Sequence, residues 1–199
     1  MLQRLAVVAA ALAINVPVSV AHAQKPAVPQ GPVYAGFLCC NMFTYGRQMG
    51  DGNYREAGTT LLAVGSPAQI TSYEWRYVDT TVGGKPQRLK NDYSRDIPMV
   101  PFTARYIVKE DPRLRIATFE PPIREAIAAA KVAKGMTREQ VTMAVGWPIT
   151  SENPRPEAKV WRYWTDSWTE YQVAFDEADK VSTVTGTPAV LEQVLYQPR

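Results

Sequence analysis

The hydrophobic pattern is most sharply punctuated between residues 134 and 148, where a short helix has both a start and a stop signal. Thr137 and Gln140 have the spacing of a capping box, in which each side chain satisfies a free backbone amide of the first turn. Gly146 supplies a left-handed residue at the helix end, and Pro148 prevents continuation. A helix of about two to three turns is not stable alone in water, so we expect it to pack against another element.

A second helix precedes this one, and three strands follow it. Pro121 and Pro122 fit the first turn of a helix that Gly135 closes. Strand-like runs then occupy residues 159–165, 170–176 and 180–186. Two helices followed by three strands predict a three-stranded antiparallel meander with both helices on one face. This domain spans residues 119–187, and residues 188–199 form a C-terminal tail.

Short β-branched and aromatic runs dominate the preceding part of the chain, which we interpret as a small β-rich domain over residues 33–110. Gly83-Gly84 predicts a hairpin and Asp51-Gly52 a turn. The spacing favours a small sheet or open barrel, of which the SH3-like barrel is one form. Residues 102–108 fit a helical turn or a strand equally well. The expected fold class is therefore α+β, with a small, mostly β domain followed by the two-helix, three-stranded unit.

The N-terminus has the pattern of an export signal. Arg4 precedes an apolar run, and Ala21-His22-Ala23 is an A-x-A cleavage site. We predict a signal peptide over residues 1–23 and a Pro-rich flexible leader over residues 24–32. The predicted location is the periplasm, in association with the outer membrane and without lipidation; an uncleaved anchor is the alternative.

Cleavage would change the available chemistry. His22 is the one histidine of the sequence, and it leaves with the signal. Histidine-dependent nucleophilic sites and histidine-ligated metals are then excluded, and no pair of carboxylates stands in a recognisable catalytic motif. We expect a protein that is not an enzyme, with no catalytic residues, cofactor or metal. Loss of Arg4 lowers the net charge of +3 by one, which argues against nucleic-acid binding.

Cys39 and Cys40 are the only cysteines of the chain and are adjacent. Neighbouring residues can close only a strained eight-membered disulfide ring. One interpretation is a vicinal redox pair or a thiol that awaits a partner chain; the other is two small buried residues in a strand.

The second half of the chain resembles a known family, the SmpA/OmlA (BamE-like) domain of outer membrane protein assembly factors. The resemblance covers about residues 123–186. The residues that carry it are Gly135, Met136, Thr137, Gln140, Val141, Gly146, Pro148, Trp161, Tyr163, Val173 and Phe175. It implies a small α+β domain of the Gram-negative cell envelope that works by contact with assembly subunits and phospholipid. The chain departs from the family in its plain cleavable signal and its additional N-terminal domain.

Two classes of function follow. The first is a non-enzymatic envelope scaffold or adaptor with envelope proteins as partners, outer-membrane assembly subunits among them. The second is a soluble periplasmic binding or enzyme-inhibitory module. Trp147, Trp164 and Trp168 are the candidate partner-binding residues, because large aromatics near turns are typical of binding hot spots. Contact with anionic phospholipid would involve arginines, and three are candidates: Arg47, Arg55 and Arg95. The alternative is that these scattered arginines are ordinary solvated surface residues.

Overall fold

The computed structural model describes residues 28–198. The predicted signal peptide, with His22, and the first residues of the predicted leader lie outside the described residues. The described chain contains eleven strands and five helices. The strands are β1 (Ala35–Leu38), β2 (Met42–Thr44), β3 (Gln48–Gly50), β4 (Thr60–Leu62), β5 (Pro67–Tyr73), β6 (Tyr77–Val82), β7 (Lys85–Lys90), β8 (Ile107–Val108), β9 (Val160–Trp164), β10 (Glu170–Phe175) and β11 (Val181–Thr185). The helices are α1 (Met99–Tyr106), α2 (Pro112–Ile116), α3 (Pro121–Ala128), α4 (Arg138–Val145) and α5 (Pro188–Val194).

The N-terminal half is built on a six-stranded sheet with the strand order β3-β7-β6-β5-β1-β8. Its neighbours are antiparallel except for β3 and β7, which run parallel. Gly83 and Gly84 connect β6 to β7 with φ of 56° and 77°, the positive values that a tight two-residue hairpin turn requires. The hairpin predicted at these two glycines is therefore confirmed.

Helix α1 lies against this sheet and completes its core. Met99, Phe102 and Tyr106 are buried at helical spacing, in one apolar cluster with side chains from β1, β5, β6 and β7. The rings of Phe102 and Tyr106 are 5.0 Å apart. The segment that the sequence pattern left undecided is therefore helical through Tyr106 and becomes strand β8 immediately afterwards.

Helix α4 begins and ends where its sequence signals predict. The Thr137 amide donates to Gln140 Oε1 over 2.9 Å, and the Gln140 amide donates to Thr137 Oγ1, which completes the capping box. Gly146 follows the helix with φ of 89°. The preceding helix is shorter than predicted, because α3 ends at Ala128 and the chain then turns through Ala130, whose φ is 52°.

A second core lies over the smaller sheet, whose strand order is β11-β10-β9. Trp161, Val173 and Phe175 are buried on one face of this sheet. Three helices, α3, α4 and α5, contribute to the same cluster, and so does Phe119 from the connection before α3. The predicted C-terminal tail therefore contains a helix whose Val190 and Val194 belong to the core.

Two buried asparagines connect the N-terminal half to the helices of the second core. Asn41, which is 1% exposed, donates from Nδ2 to the carbonyl groups of Ile127 in α3 and Ala144 in α4. Asn53 donates to the carbonyl of Val145 over 2.8 Å. Because a buried amide left without partners is costly, these bonds fix how the two halves sit together.

The predicted fold class is wrong. Within residues 28–198 the chain is mostly β, with a curled six-stranded sheet, a three-stranded sheet and five short helices, and it does not match a BamE-like fold of two helices and three strands. The physical reason is that apolar periodicity identifies the buried face of a helix but not the element that covers it. Helix α5 and Asn41 both reach the helices that we expected to pack on the sheet alone.

Among the described residues, no helix combines the length and the apolar character that crossing a membrane requires.

Candidate functional site

A large groove lies between helices α1 and α2 on one side and helix α4 on the other. Its volume is about 860 Å³. We call it the Trp147 groove. The residues that line it are Cys39, Pro101, Ala104, Arg105, Val108, Glu110, Asp111, Pro112, Arg115, Arg138, Glu139, Thr142, Met143, Trp147, Pro156 and Trp161. Both halves of the chain contribute to it, so the groove depends on the contacts that join them, the asparagine hydrogen bonds among these.

Trp147 is the residue that connects the two walls of the groove. It follows Gly146, whose positive φ turns the chain out of α4 and towards α1. Its indole Nε1 donates to the carbonyl oxygen of Arg105 over 3.0 Å. The guanidinium of Arg105 lies 5.3 Å from the indole ring centroid, a cation–π distance. Trp147 is half-buried, and it therefore keeps part of its surface available to a ligand.

Arg138 supports the other end of the groove. Its guanidinium lies 5.1 Å from the ring of Trp161 and 4.1 Å from that of Phe175. It also donates to the carbonyl oxygens of Pro156 and Glu157 and to the carboxylate of Asp179. Because all these contacts are internal, we assign Arg138 the role of holding Trp161 in position.

The rim of the groove carries charges of both signs. Arg115 of α2 and Glu139 of α4 form an ion pair of 3.1 Å between the two walls. Asp111 pairs with Arg113 over 2.6 Å, and this hydrogen-bonded arginine lowers the pKa of the Asp111 carboxyl below its usual value. Exposed ion pairs such as these two contribute little to stability. Arg105 has no carboxylate partner among the described residues, so it is the rim cation most available to a ligand.

Cys39 and Cys40 form a disulfide in the structure. Cys39 lines the groove, although only 7% of its surface is exposed, and Cys40 is fully buried. A bridge between adjacent residues closes almost no loop, so it restricts the unfolded chain very little. The redox role proposed for this pair stays a prediction.

The three candidate tryptophans occupy two different places. Trp147 lines the groove, whereas Trp164 and Trp168 lie at the β9–β10 hairpin and do not line it. Trp168 is 91% exposed, and Trp164 is half-buried. Their assignment as partner-binding residues stays a prediction, and the structure separates the hairpin pair from the groove.

The sequence signals missed the α1 wall of the groove. Ala104 and Arg105 lie in residues 102–108, the segment whose secondary structure the sequence pattern did not decide. Nothing in the pattern distinguished Met143 from the other residues of its helix. One signal could have placed Arg105 on a helix: Phe102 and Tyr106 are aromatic residues four positions apart, the spacing of one helix face.

Within residues 28–198, no group of three or more histidine, cysteine, aspartate or glutamate side chains could hold a metal ion.

Comparisons with known proteins found no match: no family model matches the chain, and neither does a curated protein or a solved structure. The resemblance to the SmpA/OmlA family therefore gains no support from them.

Proposed function

We propose that this protein is a non-enzymatic binding module whose Trp147 groove receives an apolar segment of a partner protein. The observation that carries the proposal is the groove itself, an apolar channel of about 860 Å³ that both halves of the chain build. Known ligand sites have volumes of about 300–1,000 Å³ and are mostly apolar with few polar groups.

The composition of the groove supports a protein segment as the ligand. Tryptophan, methionine and arginine are the residue types enriched in protein interfaces, and Trp147, Met143 and Arg105 supply all three. An apolar floor inside a charged rim is also the usual anatomy of an interface. Because the rim carries charges of both signs, the net charge of a partner segment would discriminate little between ligands. The shape of the segment and its apolar contacts would determine which one binds.

The predicted export signal makes the cell envelope the proposed location. Of the two classes of function inferred from the sequence, the groove favours the periplasmic binding module. The scaffold or adaptor, with envelope proteins or outer-membrane assembly subunits as partners, remains a second proposal. It is supported by Trp168, whose 91% exposure leaves it free for a partner at the hairpin tip.

The groove proposal can be tested with N-phenyl-1-naphthylamine, a neutral apolar probe that fluoresces when it leaves water. Ala104 is exposed on α1 and lines the groove, so Ala104→Glu places a carboxylate in the apolar channel. We expect the probe to bind the parent protein and to bind this variant at least about tenfold more weakly, since 1.4 kcal/mol corresponds to one decade.

Ala128→Glu is the matched control, because Ala128 is also an exposed helical alanine but does not line the groove. Both variants should melt like the parent. Equal probe binding by the two variants, or no binding by the parent, would show that the groove is not a binding site.

For the adaptor, Trp168→Ala should reduce capture of envelope proteins while Ala104→Glu should not. The opposite pattern would assign that capture to the groove.

A further inference from the structure

A second cavity, of about 320 Å³, lies beside the β2–β3 hairpin. We call it the tyrosine pocket, because Tyr45, Tyr54 and Tyr93 all line it. It shares no lining residue with the Trp147 groove and is therefore a separate site. Its volume lies at the lower end of the range of known ligand sites, which suits a small molecule.

The β2–β3 hairpin provides one wall and an open space beside it. Tyr45 and Gln48 exchange backbone hydrogen bonds of 2.9 and 3.0 Å, so they lie opposite each other and project from the same face. Phe43 and Gly50 are two residues further from the turn and belong to this face too, because side chains alternate along a strand. All four line the pocket. A Cβ at Gly50 would meet nothing within 4 Å, so the space above this glycine is open.

Tyr54 and Tyr93 form a second wall. Their ring centroids are 6.1 Å apart, and the rings are tilted by 48°. Both rings pack over Gly52, where a Cβ would lie 2.9 Å from Tyr54 Cε1 and 3.3 Å from Tyr93 Cε2. The buried carboxylate of Asp51 accepts a hydrogen bond of 3.0 Å from the Tyr93 amide, which fixes the backbone that carries this ring.

The charges that line the pocket are negative. In the part of the chain that the structure describes, two carboxylates and neither lysine nor arginine line it. Asp92 is paired with Arg76 and Lys90, which offset its charge. Glu56 is exposed and has no ion-pair partner within residues 28–198, so its carboxylate is available to a cation.

The aromatic rings add a second attraction for a cation. The face of an aromatic ring attracts positive charge, and sites that bind quaternary ammonium groups combine several such rings. Phe43 already has a cationic partner, because the guanidinium of Arg55 lies 4.9 Å from its ring centroid. Arg55 itself does not line the pocket and donates to the carbonyl of Ala130. The three tyrosine rings therefore remain for a ligand.

We propose that the tyrosine pocket binds a small organic cation, a quaternary ammonium group such as that of choline. The methyl groups lie above Gly50 and contact the rings of Tyr45, Tyr54 and Tyr93, and Glu56 offsets the charge. A quaternary nitrogen has no N–H to donate, so rings suit it better than oxygen ligands do. The group belongs to a free solute or to the head group of a lipid.

NMR titration of the purified protein with choline and with 3,3-dimethyl-1-butanol tests the proposal. The alcohol has the shape of choline, but a carbon atom replaces its charged nitrogen. We expect choline to shift the ¹H–¹⁵N signals of Gly50 and Gly52. The alcohol should bind at least about fivefold more weakly, which corresponds to about 1 kcal/mol, the value expected for a cation at partly exposed rings.

Two variants test the ring and the carboxylate separately. Tyr45 is 69% exposed, so Tyr45→Leu should melt like the parent but bind choline about two- to fivefold more weakly. Tyr45→Phe, which keeps the ring, should bind more tightly than Tyr45→Leu. Glu56→Gln should also weaken choline about two- to fivefold. Glu177→Gln, at a side chain that is 98% exposed and outside the pocket, is the matched control and should bind like the parent.

Failure of the parent to bind choline overturns the proposal, and so does equal binding of the neutral alcohol or unchanged choline binding by Tyr45→Leu. If N-acetylglucosamine shifts the Gly50 and Gly52 signals while choline does not, the pocket serves a saccharide and the proposal is wrong. Vesicles of phosphatidylcholine distinguish the two sources of the cation. Sedimentation of the parent with them, but not of Tyr45→Leu, supports a lipid head group, whereas choline binding without sedimentation supports a free solute.

Discussion

Arg55 shows how much a single side chain contributes to the joining of the two halves. It donates to the carbonyl oxygen of Ala130, just after α3, and to that of Gln193 in the last turn of α5. Its guanidinium lies 4.9 Å from the ring of Phe43. Burial lowers the pKa of Arg55, and the negative ends of two helix dipoles favour a cation at this position. The sequence suggested a surface arginine, whereas the structure places it between helix ends.

Arg55→Met should therefore destabilise the protein. The substitution keeps much of the apolar contact with Phe43 but leaves the partly buried carbonyl group of Ala130 without its donor, which typically costs about 1–3 kcal/mol; the exposed carbonyl of Gln193 can bond water instead. The free energy of unfolding, measured in urea, should fall by that amount. Arg124→Met, at an exposed arginine of α3, is the control and should change it by less than about 0.5 kcal/mol. Equal stability of the two variants would refute the capping role.

At the scale of the element, α4 illustrates what the sequence could predict and why. Its capping box and its closing glycine act over three or four residues, so the local sequence contains all the information needed, and the structure confirms both ends. The end of α3 was not predictable in the same way. Ala130 adopts a positive φ, which alanine disfavours. The reason is that the chain must turn there so that Val132 can pair with Leu195, just after α5.

Of the two end signals of α4, we expect the closing glycine to contribute more to stability than the N-terminal cap. Thr137→Ala should cost about 1 kcal/mol through loss of the cap. Gly146→Ala should cost about 1–3 kcal/mol, because a φ of 89° with a ψ of 175° is a backbone conformation that is essentially restricted to glycine. A Cβ at Gly146 would also lie only 3.0 Å from Asn53 Nδ2, the atom that donates to Val145.

Gly135→Ala is the comparison variant at a positive-φ glycine that has no such contact. Gly135 has a similar φ of 83°, but a Cβ there would meet nothing within 4 Å. Thermal unfolding should therefore rank Gly146→Ala as less stable than Gly135→Ala. The reverse order would mean that the contact with Asn53 is not restrictive.

At the scale of the whole molecule, the long-range contacts are what sequence patterns could not supply. The pattern predicted the β6–β7 hairpin, but not the parallel pairing of β3 with β7 or the placement of β8 beside β1. Nor did it predict that Asn41 would reach the carbonyl of Ala144, 103 residues away. Such pairings depend on which surfaces meet after the elements form. The Trp147 groove is a product of these contacts, which is why only Trp147 among its main residues was a candidate beforehand.

If the groove between the two halves binds an apolar ligand, the indole N–H signal of Trp147 should respond to that ligand. The chain has five tryptophans, and a Trp147→Phe variant identifies this signal in a ¹H–¹⁵N NMR spectrum. On addition of N-phenyl-1-naphthylamine, the Trp147 indole and the Met143 amide should shift, because the first donates to Arg105 at the groove wall and the second lies on its floor. The exposed Trp168 indole should stay in place. A shift of Trp168 with no change at Trp147 would contradict the account.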